Sequence, residues 1–382
     1  MTKEVLMTGK SRYVNPFKPT AGMTPPVLIG RDSVIDDFID GMDEGPGAPG
    51  RLLRITGPRG SGKTVLLTEL GGIASDRGWT VINVSGKEAL CQSIQEQLAA
   101  NARLKSLDIR ISVPFISAEA HLGNAQTEIG FRESFSSVVR ALTKKGSGLL
   151  IAIDEVQDAS PDDMAVLATN VQYMIREQQN IALLFAGITT GVLNLLNGEG
   201  ITFLRRARAE ELGSIPVDEV AAAMKETIEA SGLRIADDAL SYAAETTHGY
   251  AYLIQMVGYY VWRAGRRHVS SSNLIMLDDA KRGCAEALRE FGSSVLGTAL
   301  AGLTRPAMEY LFAMTKDSAA SATSTVAGRM GIPPQNANTY RRMLIDRQII
   351  ERTAPGYVAF SIPFMRDYLI ENKDEILSRY GG

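Results

Sequence analysis

Three features of this sequence predict an α/β fold built on a parallel sheet and followed by helical modules. Short apolar runs at 52–56, 79–84, 149–153 and 181–186 alternate with segments of helical period. Strands alternating with helices argue for a parallel sheet covered on both faces. Between the first run and the helix that begins at Val65 lies Gly57-Pro58-Arg59-Gly60-Ser61-Gly62-Lys63-Thr64, a glycine-rich turn at a strand-to-helix junction. From Val217 onward the pattern turns helical, with two short strands only near the end.

Each element follows from its residues. Residues 1–24 are polar and carry Pro16 and Pro19, so an extended arm is expected, on which Asn15-Pro16-Phe17 can lay an aromatic ring against the body. A strand-like piece at 27–29 meets Gly30-Arg31, and Asp32 or Ser33 can cap the helix that runs to about Met42. Residues 45–50, Gly-Pro-Gly-Ala-Pro-Gly, read as a flexible loop. Helices are expected at 87–104, 131–144 and 161–178 between the strands. The stretch 107–130 is the least legible; alternation at Ile109, Ile111 and Val113 marks it as an insertion. Helices then follow at 217–231, 236–245, 250–264 and 274–291, with a glycine-rich linker at 292–302. The last part reads as helices 305–314, 319–330 and 335–347, two strands flanking Pro355-Gly356, and a final helix from Pro363.

With 382 residues, 45% hydrophobic and 22% charged, the chain has room for two or three globular domains. Its net charge of −3 excludes a chain-wide pull toward nucleic acid or anionic lipid, so any such contact needs a local basic surface. Cys91 and Cys284 are too sparse for a disulfide framework, and His121, His248 and His268 build no metal-ligand spacing. No apolar run approaches membrane-spanning length and the first ten residues lack an apolar core, so a cytoplasmic protein without a membrane partner is expected.

The glycine-rich turn matches G-x-x-x-x-G-K-[ST] at every fixed position. A chance glycine turn would lack the strand before it and the helix after it. Backbone from Gly57 through Val65 is expected to form an anion nest at a helix N-terminus, holding the phosphates of ATP or ADP. Lys63 then reaches the β- and γ-phosphates, and the Thr64 hydroxyl is placed for Mg²⁺. The run 149–153 delivers Asp154 and Glu155, expected to hold Mg²⁺ and to polarise the attacking water. Alone, such a pair is more often a surface acid pair; after a complete phosphate loop it reads as the second half of a hydrolytic site. Thr189 and Thr190 follow the next strand, where a hydroxyl can sense the γ-phosphate or simply cap a helix. Asn83 is a candidate for holding Glu155 off until activation. Arg205, Arg206 and Arg208 can complete a neighbouring copy's site, with Arg206 favoured, or form a solvated helix face with Glu210 and Glu211.

In that order, Gly30-Arg31-Asp32, the phosphate loop, Asp154-Glu155, the Thr189 strand and the arginine segment resemble AAA+ P-loop ATPases of the origin-recognition and initiator type. They are similar also to the related signal-transduction (STAND) ATPases. The resemblance covers 27–267 and implies a five-stranded core sheet of order 5-1-4-3-2, with the 27–31 segment, Gly30 and Arg31 included, against the adenine and a helical lid beyond. Two departures stand out: Gly249-Tyr250-Ala251-Tyr252 lacks the initiators' lid arginine, and Ala251 replaces the proline of the signalling relatives.

Near the C-terminus, 326–345 reads as a helix-turn-helix turning at Gly331, with the Pro355-Gly356 hairpin as a wing. Residues 303–361 hold seven Lys and Arg against four Asp and Glu, opposite in sign to the whole chain. Gln335, Asn336, Asn338, Arg341 and Arg342 can face base edges or phosphates of duplex DNA, and Arg329 and Arg352 its backbone. Winged helices also dock proteins, so two readings stand: a DNA-associated ATP switch, or a signalling ATPase with a protein partner or a homo-oligomer. The expected domains are an arm (1–24), an ATPase core (25–215), a lid (216–300) and a winged helix (301–382).

Overall fold

A computed structural model describes residues 14–20, 29–101, 124–198, 200–267 and 273–378, without the side chains of 124–129. The chain divides into two compact units, one of Gly30–Gly213 and one of Ser214–Gly382 with Met1–Ile29. The alternation expected around Ile109, Ile111 and Val113, and the strand-like residues Val27 and Leu28, lie outside the described residues.

In the first unit the apolar runs become strands β1 (Leu52–Thr56), β2 (Thr80–Ser85), β3 (Leu149–Asp154) and β4 (Ile181–Gly187), joined by a fifth, β5 (Arg208–Glu211). All pair in parallel in the order β2-β3-β4-β1-β5, the implied order read from its other edge. Side chains alternate across the sheet. Leu149, Ile151, Ile153, Leu183 and Phe185 enter one core, whereas Leu150, Ala152, Ala182, Leu184 and Ala186 enter the other. Helices α1 (Asp32–Glu44) and α2 (Lys63–Asp76) feed the second core through Val34, Phe38, Leu66, Leu67 and Leu70. Helices α3 (Leu90–Ala100), α4 (Asn124–Lys144) and α5 (Pro161–Arg176) feed the first. Burial on both faces of the central strands is the main favourable term, at about 1.5–3 kcal/mol for each large apolar side chain.

One expectation about a helix end is corrected. Helix α1 has Arg31 at its N-cap and no side-chain cap, because Asp32 is already its first helical residue. Its C-terminus is held from outside: the buried Arg51 guanidinium donates to the Gly41 and Met42 carbonyls at 2.7 and 2.6 Å and stacks over Trp79. That is a cation at the negative end of a helix dipole.

Before the second unit begins, a short helix follows β4. That short helix is α6 (Thr189–Leu196) and belongs to the first unit. Helices α7 (Val217–Ala230), α8 (Asp237–Thr246), α9 (Ala251–Arg266) and α10 (Leu277–Phe291) then pack together, with a two-stranded ladder, β6 (Arg234–Ile235) and β7 (Leu274–Ile275), tying two of their loops. The expected linker at 292–302 is helical instead. A π turn, Gly292–Leu296, and a four-residue helix, Gly297–Leu300, extend α10 because Leu296 and Leu300 are buried.

Next come α11 (Arg305–Met314), β8 (Ser321–Ala322), α12 (Thr323–Met330), α13 (Pro334–Asp346), β9 (Ile350–Ala354) and β10 (Tyr357–Phe360), with α14 (Met365–Glu371) and α15 (Lys373–Ser378) closing the chain. The three strands form an antiparallel sheet of order β8-β10-β9. Gly331, at φ 66°, makes the turn between α12 and α13, a conformation glycine adopts without a Cβ penalty. The N-terminal arm joins this unit through Phe17, which is buried in its core.

Candidate active site

The loop between β1 and α2 turns on glycines. Gly60 and Gly62 have φ of 71° and 94°, a region that L side chains enter only under strain. At Gly57 a Cβ would come within 2.6 Å of the Leu212 carbonyl. Such a turn lines up successive N–H groups ahead of a helix N-terminus, an anion nest. Lys63, only 7% exposed, donates from Nζ to the Gly57 and Pro58 carbonyls at 2.9 and 2.8 Å. Burial pulls its ammonium below the ordinary lysine value, against the opposing attraction of the Glu155 and Asp154 carboxylates. Ser61 Oγ is buried and has no hydrogen-bond partner among the described residues. Arg31, 8% exposed, braces the loop by donating to the Ser61 carbonyl at 3.3 Å.

The second half of the site comes from the carboxyl end of β3. Thr64 Oγ1 donates to Asp154 Oδ2 at 2.5 Å, and the other Asp154 oxygen accepts from the Glu155 N–H at 2.9 Å. Glu155 takes a left-handed backbone, φ 50°. Its Oε2 accepts from Gln157 Nε2 at 2.6 Å, and Gln157 Oε1 accepts from the Ile188 N–H at 3.1 Å. Gln157 is absent from the residues expected from sequence. Its one signal is an uncharged amide two positions after the acid pair.

The remaining expected residues sort as follows. Thr189, half-buried, and Thr190, exposed, open helix α6. Asn83 stands opposite Ala152 in the sheet, whereas Ser85 is opposite Asp154; Gln157 is the residue that bonds the Glu155 carboxylate. Arg205 donates to the Leu196 carbonyl at 2.7 Å, and Arg208, on β5, pairs with Asp37. The arginines therefore form no solvated helix face with Glu210 and Glu211, which lie on the same strand as Arg208. Arg206 is exposed.

The meeting of a hydroxyl and a carboxylate at Thr64 and Asp154 suits a hard divalent cation such as Mg²⁺, which takes oxygen ligands. The unsatisfied Ser61 hydroxyl is a donor suited to a phosphate oxygen.

Residues 27–185 match the family model described as the AAA ATPase domain. This part of the chain is similar to AAA ATPase domains. The fold around it is similar to that of the Aeropyrum pernix ORC2 protein, solved as ADPNP–ADP complexes, with a TM-score of 0.63 at 14% identity over 95% of this chain and 97% of that one. A Walker-type ATPase of Pyrococcus abyssi also gives 0.63, at 15% identity over 90% and 96%. Cdc6p of Pyrobaculum aerophilum gives 0.50, at 17% identity over 94% and 98%. Residues 293–369, beyond the ATPase domain, match a second family model, described as a domain of unknown function. No curated protein matches the chain in sequence.

In that C-terminal region, α13 exposes Gln335, Asn336, Thr339 and Arg342, and the hairpin exposes Arg352. Asn338 and Arg341 are half-buried. Arg341 turns inward, with its Nε buried and its charge acting on the buried Tyr310 hydroxyl, which burial pushes up to about 12. Arg329 is committed to a bidentate pair with Asp317 at 2.6 Å. Among the described residues, no helix is long and apolar enough to cross a membrane.

Proposed function

We propose that the chain is an Mg²⁺-dependent, ATP-hydrolysing switch whose C-terminal module is a winged helix that binds duplex DNA. The observation that carries the hydrolytic part is the junction of Thr64 and Asp154, which brings the phosphate loop and the acid pair of β3 into one site. In this reading the backbone from Gly57 to Val65, with Lys63, holds the triphosphate, and Gly30 and Arg31 border the nucleotide. Mg²⁺, when bound by Thr64 and Asp154, supplies Lewis-acid polarisation of the phosphoryl oxygens. The Glu155 carboxylate accepts the proton of the attacking water, and the Thr189 hydroxyl senses the terminal phosphate. Arg206, exposed and outside the contacts that hold Arg205 and Arg208, serves a neighbouring copy in a homo-oligomer.

The DNA role is supported by the helix–strand–helix–helix–strand–strand order of 305–360 and by the polar face of α13. Asn336, Arg342 and Arg352 are its exposed contacts, with Asn338 and Arg341 at the margin. A second reading, docking of a protein, is favoured by the inward commitment of Arg329 and Arg341, which leaves few free cations on that face.

One experiment addresses both halves: ATP turnover with and without duplex DNA, with Glu155→Gln as the blank. The variant is expected to bind ATP as the wild type does and to lose turnover by about 10²–10⁴-fold. Undiminished hydrolysis would remove Glu155 from the mechanism. Stimulation by DNA supports the DNA reading, and turnover indifferent to DNA supports the protein partner.

A further inference from the structure

The side chain of Gln157 spans the gap between the acid pair and the carboxyl end of β4. Its orientation is fixed by its partners. The Ile188 N–H can only donate, so the amide oxygen must face it, and the Glu155 carboxylate can only accept, so the NH₂ must face that. A flipped amide would set donor against donor at one end and acceptor against acceptor at the other.

The neighbouring backbone leaves room for this one side chain. A Cβ on Gly187 would come within 2.3 Å of Gln157 Oε1, and one on Gly191 within 2.5 Å of Gln157 Cβ. Both glycines are closed to larger residues by Gln157 among others. At the other end, Glu155 sits in the left-handed region, uncommon for a residue with a side chain. Its carboxylate is therefore aimed by backbone and bond together.

We propose that Gln157 is a positioning residue for hydrolysis, which holds the Glu155 carboxylate through one oxygen and ties it to the backbone just ahead of Thr189. The inference rests on Glu155 as the base. With Oε2 engaged by Gln157, Oε1 is the oxygen left to take a proton from water. Because Ile188 immediately precedes Thr189, the aim of the base and the start of α6 share one amide. Displacement of either end displaces the other.

Gln157→Glu is the discriminating variant in the full-length protein. The new carboxylate still accepts from the Ile188 N–H, so the backbone anchor survives, but against Glu155 it sets a like charge in place of a donor. Its kcat is expected to fall about tenfold or more, and the like charge is expected to lower its melting temperature as well, so affinity for a fluorescent ATP analogue is read on Gln157→Ala, where it is expected to stay at the wild-type value. Gln157→Ala removes both bonds and is expected to lower kcat at least as far. In a Glu155→Gln background, adding Gln157→Ala should cost no further turnover, because a residue that acts only through another is silent once that residue is gone. Wild-type kcat in Gln157→Glu or Gln157→Ala overturns the proposal. So does an equal loss from Gln157→Ala in both backgrounds, or a loss in Gln157→Ala that follows the nucleotide affinity. Should Gln157→Glu not fold, Gln157→Ala and the double variant decide alone. Turnover by Glu155→Gln alone at the wild-type rate refutes the base itself, and the proposal falls with it; that result is read before any Gln157 variant is made.

Discussion

Two glycines of one helix region behave oppositely under the same substitution, and the reason is their backbone. Gly62 stands at φ 94° as the N-cap of α2, whereas Gly72 lies inside that helix with open space where a Cβ would project. Gly62→Ala forces an L residue into the left-handed region, at a cost of about 1–2 kcal/mol. Relaxing that strain opens the amide nest, so nucleotide affinity is expected to fall as well. Gly72→Ala is expected to gain about 0.8–1 kcal/mol from helix propensity and to leave affinity unchanged. Urea unfolding without nucleotide, beside a titration with a fluorescent nucleotide, reads both signs. A Gly62→Ala protein of wild-type stability and affinity would mean that the loop does not depend on its left-handed turn.

At the scale of elements, the arm and helix α9 are fitted to each other through an aromatic ring and a missing side chain. Phe17 is 1% exposed, and a Cβ on Gly258 would come within 2.3 Å of its ring. The Asn15 side chain donates to the Tyr259 carbonyl at 3.0 Å, and the Lys18 N–H to Gln255 Oε1 at 3.3 Å, which fixes the arm on either side of the ring. Phe17→Ala is expected to cost about 3–5 kcal/mol, the price of emptying an aromatic site. Gly258→Val evicts the same ring, so the double variant should lose less than the sum of the two. Additive losses in chemical denaturation would show that the two sites do not share one contact.

The placement of Phe17 was legible in Asn15-Pro16-Phe17, as were β1 to β4, because each is an apolar run bounded by turn residues. Strand β5 was not: Arg208-Ala209-Glu210-Glu211 is polar and exposed, since an edge strand has one neighbour and little to bury. The extension of α10 past Gly292 was hidden by glycine and serine composition, and only the spacing of Leu296 and Leu300 betrays it. The phosphate loop and Asp154-Glu155 could be read directly because main-chain geometry and charge restrict which residues serve. Gln157 could not, because its bonds depend on how close β4 lies to the turn after β3.

On the scale of the molecule, the two units contain different chemical sensors and should answer different titrants. The unit of Gly30–Gly213 carries the phosphate loop, so ATP at about 100 times its dissociation constant should stabilise it by about 2.7 kcal/mol. The other unit carries the Asp317–Arg329 pair. Bonds from Arg329 hold the Asp317 carboxyl at about 2, below its ordinary 3.8. A depressed carboxyl contributes stability that is complete above the unfolded value and is lost as pH falls through the folded one. The loss therefore belongs to the window from about pH 4 down to about pH 2. Amide hydrogen exchange on peptides from 305–330 should lose protection across that window in the wild type. Arg329→Met should begin from lower protection and show a shallower change there, because only the bond from Ser321 then holds the Asp317 carboxyl below its unfolded value. A variant that kept the wild-type slope between pH 4 and pH 2 would assign the acid response of this unit to another carboxylate.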